Sequence, residues 1–466
     1  MLQTFTTKIG KAKHHPPMIV RNFVFIALFF GSLLAFLTPP FQSPDEYNHF
    51  YRAWQVSEGK LTPEIKDGNR LGGELPAALD SLTKQFIYLK NNPAARLYFS
   101  QIGAAYDLRI DESERRFTDF PNTAIYAPTA YVPQATGIVL GRLLTDRLLL
   151  IFYIARLFNL LCWIALIASA LRLIPFQKQG LAFLALLPSS LAIACTLNAD
   201  VSSNGLAFWL IAWAVSGTST RRKEGAALAS GMLLSVNKLI LAPFFALFAL
   251  PLLHERWNKL LPRVAVPLLL MLAGALVWGR LADRWFVPYD QYAPELRDGQ
   301  TLNPGVDPER QLSYVLHHPF EFAGVAARSF LDSAPSTAAH FVGKFGWEKN
   351  YLPGWCMALL WLGLLAVFCT ESAGLRRRQS TLLMAAGLAS VLLWAITMYA
   401  LWCPVGATVL GNWQGRYFIP IVPLLCLGFG NALLTPWRKT LDRVAGAVIL
   451  LSNIAMLYAV FARYWG

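Results

Sequence analysis

Residues 148–171 read LLLIFYIARLFNLLCWIALIASAL, an almost unbroken run of apolar side chains. Similar runs occupy residues 19–37, 264–281 and 382–401. A helix needs about 20 such residues to cross a hydrocarbon core roughly 30 Å thick. Helices of soluble proteins normally keep one polar face, and these runs have none. The sequence therefore predicts an integral membrane protein that crosses the bilayer several times.

The composition supports this interpretation. Of 466 residues, 55% are hydrophobic and 15% are charged, whereas soluble domains carry about 25% charged residues. The net charge of +14 comes from basic clusters beside the apolar runs, as in cytoplasmic loops of membrane proteins. These clusters are Lys8, Lys11, Lys13 and Arg21; residues 221–223; residues 376–378; and Arg438, Lys439 and Arg443. The excess charge thus indicates topology, and no nucleic-acid partner is expected.

The distribution of polar residues predicts two large external loops. With a cytoplasmic N-terminus, the first span leads outside near Thr38, and residues 38–125 form the first external loop. Helices lying on the membrane surface are expected there, around residues 77–88. Residues 282–353 form the second large external loop. We predict a single membrane domain over residues 1–466, an all-α polytopic bundle with about 9–12 transmembrane helices.

Two apolar segments do not fit simple crossings. Residues 126–144 contain prolines, and we expect this stretch not to cross the bilayer fully. Residues 226–253 are long for one crossing and short for two, with Lys238 in the middle. Two short helices that meet within the membrane would fit, because irregular backbone at that depth needs a protein or water-lined setting.

The strongest local signal is the segment PDEYNH at residues 44–49, just after the first span. Either Asp45 or Glu46 could act as a general base on an attacking hydroxyl. The two carboxylates could also hold a divalent cation. An alternative is that Asp45 merely caps the helix that follows. His49 and Arg52 are candidate substrate contacts beside them.

Two further charged residues lie at or within apolar segments. Asp200 stands at an external membrane boundary, where it is either a functional acid or a helix cap. A charge at the depth of Lys238 is costly and usually has a partner in a polar interior. A carboxylate or a lipid phosphate would serve as that partner, and snorkelling to the interface is the alternative.

The segment NWQGRYF at residues 412–418 directly precedes another apolar run. Arg416 is a candidate phosphate ligand, because its guanidinium matches phosphate oxygens bidentately. Gln414 and Tyr417 are candidate contacts beside it, although Tyr417 also suits the aromatic belt of a membrane interface.

The segment GKFGW at residues 343–347 precedes a span on the same predicted face. Trp347 could stack on a sugar or anchor the chain at the interface. The adjacent His317 and His318 lack the spacing of metal ligands, so no metal site is predicted there.

Three segments together resemble a bacterial family of predicted membrane proteins, domain of unknown function 2142, over nearly the whole chain. They are PDEYNH with Arg52 and Ala53, GKFGW, and QGRYFIP at residues 414–420. That family is similar to the GT-C glycosyltransferases, multi-span enzymes that use polyprenyl-phosphate-linked sugars. The resemblance implies that Asp45 or Glu46 is the catalytic acid of the first external loop. It also implies that Asp200 corresponds to an acidic residue in a later loop.

The expected activity is that of a GT-C-like, inverting glycosyltransferase in a bacterial inner membrane, with its active face on the periplasmic side. It would move a sugar from a polyprenyl-phosphate donor to an external glycan or a lipid-linked acceptor. No cofactor is required, although a divalent cation is an option. Arg416 and Lys238 would hold the donor phosphate. The alternatives are a transporter or flippase for a lipid-linked glycan, favoured by internal repeats that the sequence does not show, and a non-catalytic assembly factor.

Overall fold

The computed structural model describes residues 18–217, 220–253, 257–297, 302–347, 350–372 and 374–466. The basic residues Lys8, Lys11 and Lys13, used in the topology argument, lie outside the described residues. The α-helices are, in chain order, α1 (Met18–Leu37), α2 (Glu46–Ser57), α3 (Ala77–Phe86), α4 (Phe99–Asp107), α5 (Pro121–Ala124), α6 (Val132–Leu144), α7 (Leu148–Leu173), α8 (Lys178–Ala185), α9 (Pro188–Ala194), α10 (Asp200–Ser216), α11 (Arg221–Asn237), α12 (Trp257–Asp283), α13 (Pro294–Arg297), α14 (Pro308–His317), α15 (Pro319–Gly343), α16 (Gly354–Phe368), α17 (Arg377–Trp402), α18 (Val422–Phe429) and α19 (Arg438–Tyr464).

Short 3-10 helices and three strands complete the secondary structure of these residues. The 3-10 helices are Ile87–Leu89, Pro128–Tyr131, Leu239–Leu252, Tyr289–Gln291, Gly415–Phe418 and Thr435–Trp437. The strands are β1 (Glu64–Lys66), β2 (Arg70–Pro76) and β3 (Arg115–Asp119).

Five described segments are long and apolar enough to cross a membrane. They are Met18–Leu37, Leu148–Leu173, Leu261–Asp283, Arg377–Trp402 and Thr435–Tyr464. Two shorter apolar helices are Leu239–Pro251 and Gly354–Phe368. The predicted all-α membrane class is confirmed. Other apolar stretches form shorter helices, such as α8, α9 and α18.

Large apolar side chains cover the outside of the long helices. On α1, Phe25 is 70% exposed and Phe29 is 51% exposed, while Phe23 and Ala27 are buried against the rest of the bundle. Such continuous apolar exposure would cause aggregation in water. In a bilayer the same surface contacts lipid chains, so the exposure supports the membrane assignment.

Close packing in the bundle depends on small residues. Gly137 and Gly141 of α6 face α7, and a Cβ atom at Gly137 would lie 2.7 Å from the Cα atom of Ala155. Two glycines four positions apart let helix backbones approach closely in membranes, where the hydrophobic effect does not drive helices together. α6 therefore packs directly on α7, and its 13 residues span only about 20 Å. That the proline-containing stretch 126–144 does not cross the bilayer fully stays a prediction.

The segment around Lys238 is broken, as the charge pattern predicts. α11 ends at Asn237, Lys238 adopts an extended conformation, and the 3-10 helix Leu239–Leu252 follows with prolines at 243 and 251. Proline removes a backbone donor, which prevents α11 from continuing as one long helix. The break presents Lys238 to the interior of the molecule.

The first long polar stretch contains a small sheet that the sequence analysis did not predict. Its order is β1-β2-β3 and both pairs are antiparallel, with Ile65 opposite Leu71 and Gly73 opposite Thr118. The predicted helix within residues 77–88 is α3, which carries the buried Leu79 and Leu82 on one face.

The second long polar stretch, residues 282–353, is mostly helical where it is described, and α15 alone has 25 residues. Tyr292 connects it to the sheet by donating a hydrogen bond of 2.6 Å to Asp119. This contact joins the two polar stretches to each other.

Candidate functional site

All three sequence segments that carry the family resemblance meet at one cavity of about 850 Å³. The first contributes Asp45 and His49, the second Gly346 and Trp347, and the third Arg416. These residues are far apart in the chain. Their convergence marks this cavity as the candidate site.

The start of α2 explains which side chains reach the cavity. Asp45 precedes the first helical residue and has a left-handed backbone, and its side chain lines the cavity together with that of His49. Glu46, the first residue of α2, points instead into the protein and is fully buried. The turn into α2 thus separates two carboxylates that the sequence could not distinguish.

Asp45 has the properties of a carboxylate kept available for chemistry. Its backbone is left-handed, with φ of 59°, and its side chain does not cap α2. Among the described residues, no hydrogen bond or ion pair engages its carboxylate. Aspartate tolerates this conformation better than most residues, yet it still has a cost, and such residues are concentrated at functional sites. The capping alternative is therefore not what the geometry shows.

Glu46 forms a buried ion pair with Arg156 of α7. Two hydrogen bonds join them, from Nε to Oε1 at 2.8 Å and from Nη2 to Oε2 at 2.6 Å, and both side chains have 0% exposure. Glu46 also accepts hydrogen bonds from the backbone N–H groups of Phe41 and Leu197 at 3.0 Å each. Because both oxygens are engaged, Glu46 is not placed to act as a base or to share a metal ion with Asp45.

Arg156 extends this pair into a clamp on the backbone. Its guanidinium donates to the carbonyl oxygens of Ala35, Thr38 and Pro39 at 2.7, 2.7 and 3.1 Å. The end of α1, the turn before Asp45 and the turn before Asp200 are therefore tied to one buried charge pair. We assign Glu46 and Arg156 as positioning residues for the cavity.

Asp200 and Lys238 form an ion pair on another part of the cavity wall. Lys238 Nζ lies 2.6 Å from Asp200 Oδ1, and 5.5 Å from the ring centroid of Tyr417. The partner that the sequence required for Lys238 is thus a carboxylate in this structure. Asp200 is the first residue of α10 and does not serve only as a cap.

Arg416 lies beside this pair because Gly415 packs tightly on α15. A Cβ atom at Gly415 would collide with the backbone of Phe341 and Thr337. Burial works against the charge of Arg416, but Tyr417 and the carboxylates of Asp200 and Asp45 raise its pKa above the ordinary arginine value. Its Nε atom is buried and has no hydrogen-bond partner in the structure. A buried donor without a partner is costly, and an anionic ligand would satisfy it.

Trp347 is held at the wall by two neighbours. Its indole N–H donates to the carbonyl oxygen of Phe41 at 3.0 Å, and Lys90 Nζ lies 4.2 Å from its ring centroid. Gly346 has φ of 77°, and a Cβ atom there would lie 2.8 Å from the carbonyl oxygen of Gln42. Trp347 thus lines the cavity with one face of its ring covered by an ammonium group.

The remaining predicted contacts lie in different places. Gln414 and Tyr417 line the cavity, and Gln414 hydrogen-bonds Asn412. Arg52 does not line it: its guanidinium donates to the carbonyl oxygens of Leu61 at 2.7 Å and Tyr126 at 3.2 Å. The structure therefore places Arg52 behind the wall, where it supports Tyr126 and is not positioned to bind a substrate.

His49 is neutral at physiological pH. Burial is the main reason that its pKa falls to about 4. The positive charges of Arg416 and Lys238 lower the pKa further, and the negative charges of Asp45 and Asp200 oppose the shift. Its Nδ1 atom lies 2.8 Å from the hydroxyl of Tyr131, so the imidazole is fixed in orientation.

This shift predicts a pH effect on stability. The unfolded chain binds a proton at His49 near pH 6.5, whereas the folded protein does so only near pH 4. Between these values the unfolded state binds more protons, so stability falls as the pH is lowered. We expect the His49→Gln variant to lose less free energy of unfolding than wild type between pH 6.5 and 4 in detergent micelles. Equal slopes for the two proteins would contradict the burial of a neutral His49.

The sequence analysis missed several cavity residues. Lys90, Tyr126, His340, Lys344, Asn350 and Tyr464 all line it. Arg156, which lies behind the cavity wall, was also missed, but its position could have been recognised from the sequence. It is a charged residue within an apolar run, the same feature that singled out Lys238. Lys90 lies in an ordinary polar stretch, and nothing local distinguishes it from exposed lysines.

Comparison with known proteins gives one finding on ancestry. Residues 28–425 match the family described as predicted membrane protein (DUF2142). No curated protein and no solved structure matches the chain significantly. The family match includes all three cavity segments, at residues 44–49, 343–347 and 414–420. The chain therefore belongs to the DUF2142 family of predicted membrane proteins.

Proposed function

We propose that this protein is a membrane glycosyltransferase that moves a sugar from a polyprenyl-phosphate donor to a glycan or lipid-linked acceptor. The single observation that carries the proposal is the arrangement of charges in the cavity. Asp45, whose carboxylate has no partner among the residues that the structure describes, faces the same space as Arg416, whose buried Nε atom likewise has none there. The proposed setting is the extracytoplasmic face of a bacterial inner membrane, consistent with the basic clusters beside the apolar runs.

The donor phosphate would bind at Arg416. Guanidinium groups bind phosphate oxygens in a bidentate manner, and the interaction is strongest where water is excluded. Lys238 also lies against the ring of Tyr417, and its pairing with Asp200 keeps it in place before the donor arrives. A lipid-linked donor could reach this site directly from the surrounding bilayer. A soluble donor would not need such a route.

The transfer itself needs one base and one stabilised leaving group. Asp45 takes the proton from an acceptor hydroxyl as the hydroxyl oxygen bonds to the anomeric carbon of the donor. The bond from that carbon to the phosphate oxygen breaks, and the polyprenyl phosphate leaves with the bonding electron pair. Arg416 and Lys238 stabilise the negative charge on the leaving phosphate. A single displacement of this kind inverts the anomeric centre.

Reconstituted protein tests the proposal directly. Proteoliposomes would be incubated with a panel of polyprenyl-phosphate sugars and acceptor glycans, and the release of polyprenyl phosphate would be measured. Release that depends on the acceptor supports the transferase. If no donor in the panel is consumed, and labelled lipid instead crosses the bilayer, the protein is a transporter and the proposal fails.

The Arg416→Lys variant tests the phosphate contact. Lysine keeps the charge but loses the planar fork, and a charge-assisted hydrogen bond contributes about 1.5–3 kcal/mol. We expect the donor KM to rise about ten- to a hundredfold, with the acceptor KM unchanged. Arg109→Lys is the matched control, since Arg109 forms an exposed ion pair with Asp146 outside the cavity. A donor KM unaffected by Arg416→Lys would remove this residue from the phosphate site.

A further inference from the structure

Lys90 is a cation that lines the cavity but has no part in the proposed reaction. It follows the 3-10 helix Ile87–Leu89 and lines the cavity with its side chain half-buried. Its ammonium lies 4.2 Å from the ring centroid of Trp347 and 5.2 Å from that of Tyr47. One long hydrogen bond of 3.4 Å reaches the Tyr47 hydroxyl.

No carboxylate pairs with Lys90 among the described residues. Aromatic faces offset only part of the cost of removing an ammonium from water. Burial lowers its pKa, and of the surrounding charges Asp45 opposes that effect. An uncharged side chain would pack against Trp347 at a lower cost in desolvation free energy. The charge of Lys90 therefore requires an explanation.

The two cations assigned to the donor phosphate and Lys90 lie against different aromatic side chains of the cavity. Arg416 and Lys238 lie against Tyr417 and interact with Asp200. Lys90 lies instead against Trp347 and Tyr47. Asp45 is the carboxylate whose charge acts on both Arg416 and Lys90. Lys90 is therefore a cation separate from the donor-phosphate group, and it lines the same cavity as the base.

We infer that Lys90 binds an anionic group on the acceptor, so that the acceptor is an acidic sugar bearing a carboxylate or a phosphate. This inference rests on the proposed function. An anionic acceptor would be repelled by Asp45 when its hydroxyl approaches the base, and Lys90 offsets that repulsion. Asn91 and Asn350 line the same part of the cavity and supply amide groups for sugar hydroxyls.

Three glycosides that share one aglycone test the inference: a glucoside, a glucuronide and a glucoside 6-phosphate. With wild-type protein and one fixed donor, we expect an acceptor KM at least about tenfold lower for one or both acidic glycosides than for the neutral one. In Lys90→Met the preference is expected to disappear, with the KM of the neutral glycoside and of the donor unchanged. Whichever acidic glycoside is preferred identifies the group as carboxylate or phosphate.

Lys84→Met is the matched control, because Lys84 is an exposed lysine of α3 paired with Asp80. It should keep the preference. Equal KM values for neutral and acidic glycosides in wild type, or a preference that survives in Lys90→Met, would overturn the inference and leave the transferase intact. If no transfer occurs at all, the proposed function fails. Binding of the same three glycosides, measured calorimetrically on wild type and Lys90→Met, then still decides whether Lys90 recognises an anion.

Discussion

In the Asp45→Asn variant, the rate of sugar transfer is expected to fall by about 10²- to 10⁴-fold, the usual contribution of a general base. Asparagine has nearly the same shape and tolerates the same left-handed backbone, so the fold should persist. The donor is held by Arg416 and Lys238, and its binding should therefore be retained. The measurement is kcat in proteoliposomes together with the Kd of a polyprenyl-phosphate donor.

The matched control is Asp67→Asn. Asp67 is also an aspartate with a left-handed backbone, with φ of 54°, but it lies exposed in the turn between β1 and β2. Its substitution should leave both quantities unchanged. Transfer by Asp45→Asn at the wild-type rate would show that Asp45 is not the base.

The Glu46→Gln variant is expected to lower the free energy of unfolding by about 3–5 kcal/mol, because it leaves the charge of Arg156 buried without a counter-charge. Both side chains of the pair are fully buried, so solvent does not screen the loss. The measurement is chemical denaturation in detergent micelles. Glu64→Gln is the control: the exposed pair of Lys60 with Glu64 should contribute only about 0–1 kcal/mol.

A second variant separates stability from positioning. Replacing the pair with apolar residues, Glu46→Leu with Arg156→Met, removes the unpaired charge and should recover part of the lost stability. It also removes the hydrogen bonds to Phe41 and Leu197, so transfer should stay low. If Glu46→Gln were no less stable than Glu64→Gln, the buried clamp would not hold the site together. Full activity in the double variant would show that the clamp does not position Asp45.

Hydropathy predicts the membrane class well because lipid imposes one simple requirement, a long apolar helix. It also locates the break at Lys238, since a charge at membrane depth needs an irregular, polar setting. The same reasoning does not reveal β1, β2 and β3, whose pairing joins residues 64–76 to residues 115–119 across the chain. The pairing of β2 with β3 depends on contacts between distant residues. The β1–β2 hairpin does have a local signal, Asp67-Gly68 with positive φ at both residues, which hydropathy does not use. α15 was not predicted either, because residues 282–353 are too polar to indicate a membrane span.

The candidate site could be predicted from the sequence in part. Motif and charge pointed to Asp45, Asp200, Lys238 and Arg416, and all four line one cavity. Sequence could not separate Asp45 from Glu46, because the distinction lies in the direction of each side chain and in the presence of Arg156. Lys90 could not be found at all, since its role depends on Trp347, which is distant in the chain.

The central claim is that the cavity performs a transfer and does not merely pass a lipid. One measurement tests it most directly: the release of polyprenyl phosphate and the crossing of labelled donor lipid, recorded in the same proteoliposomes for wild type and Asp45→Asn. The account predicts acceptor-dependent release by wild type, one polyprenyl phosphate for each sugar transferred, and its loss in Asp45→Asn. Lipid crossing without release, at the same rate in both proteins, would contradict it.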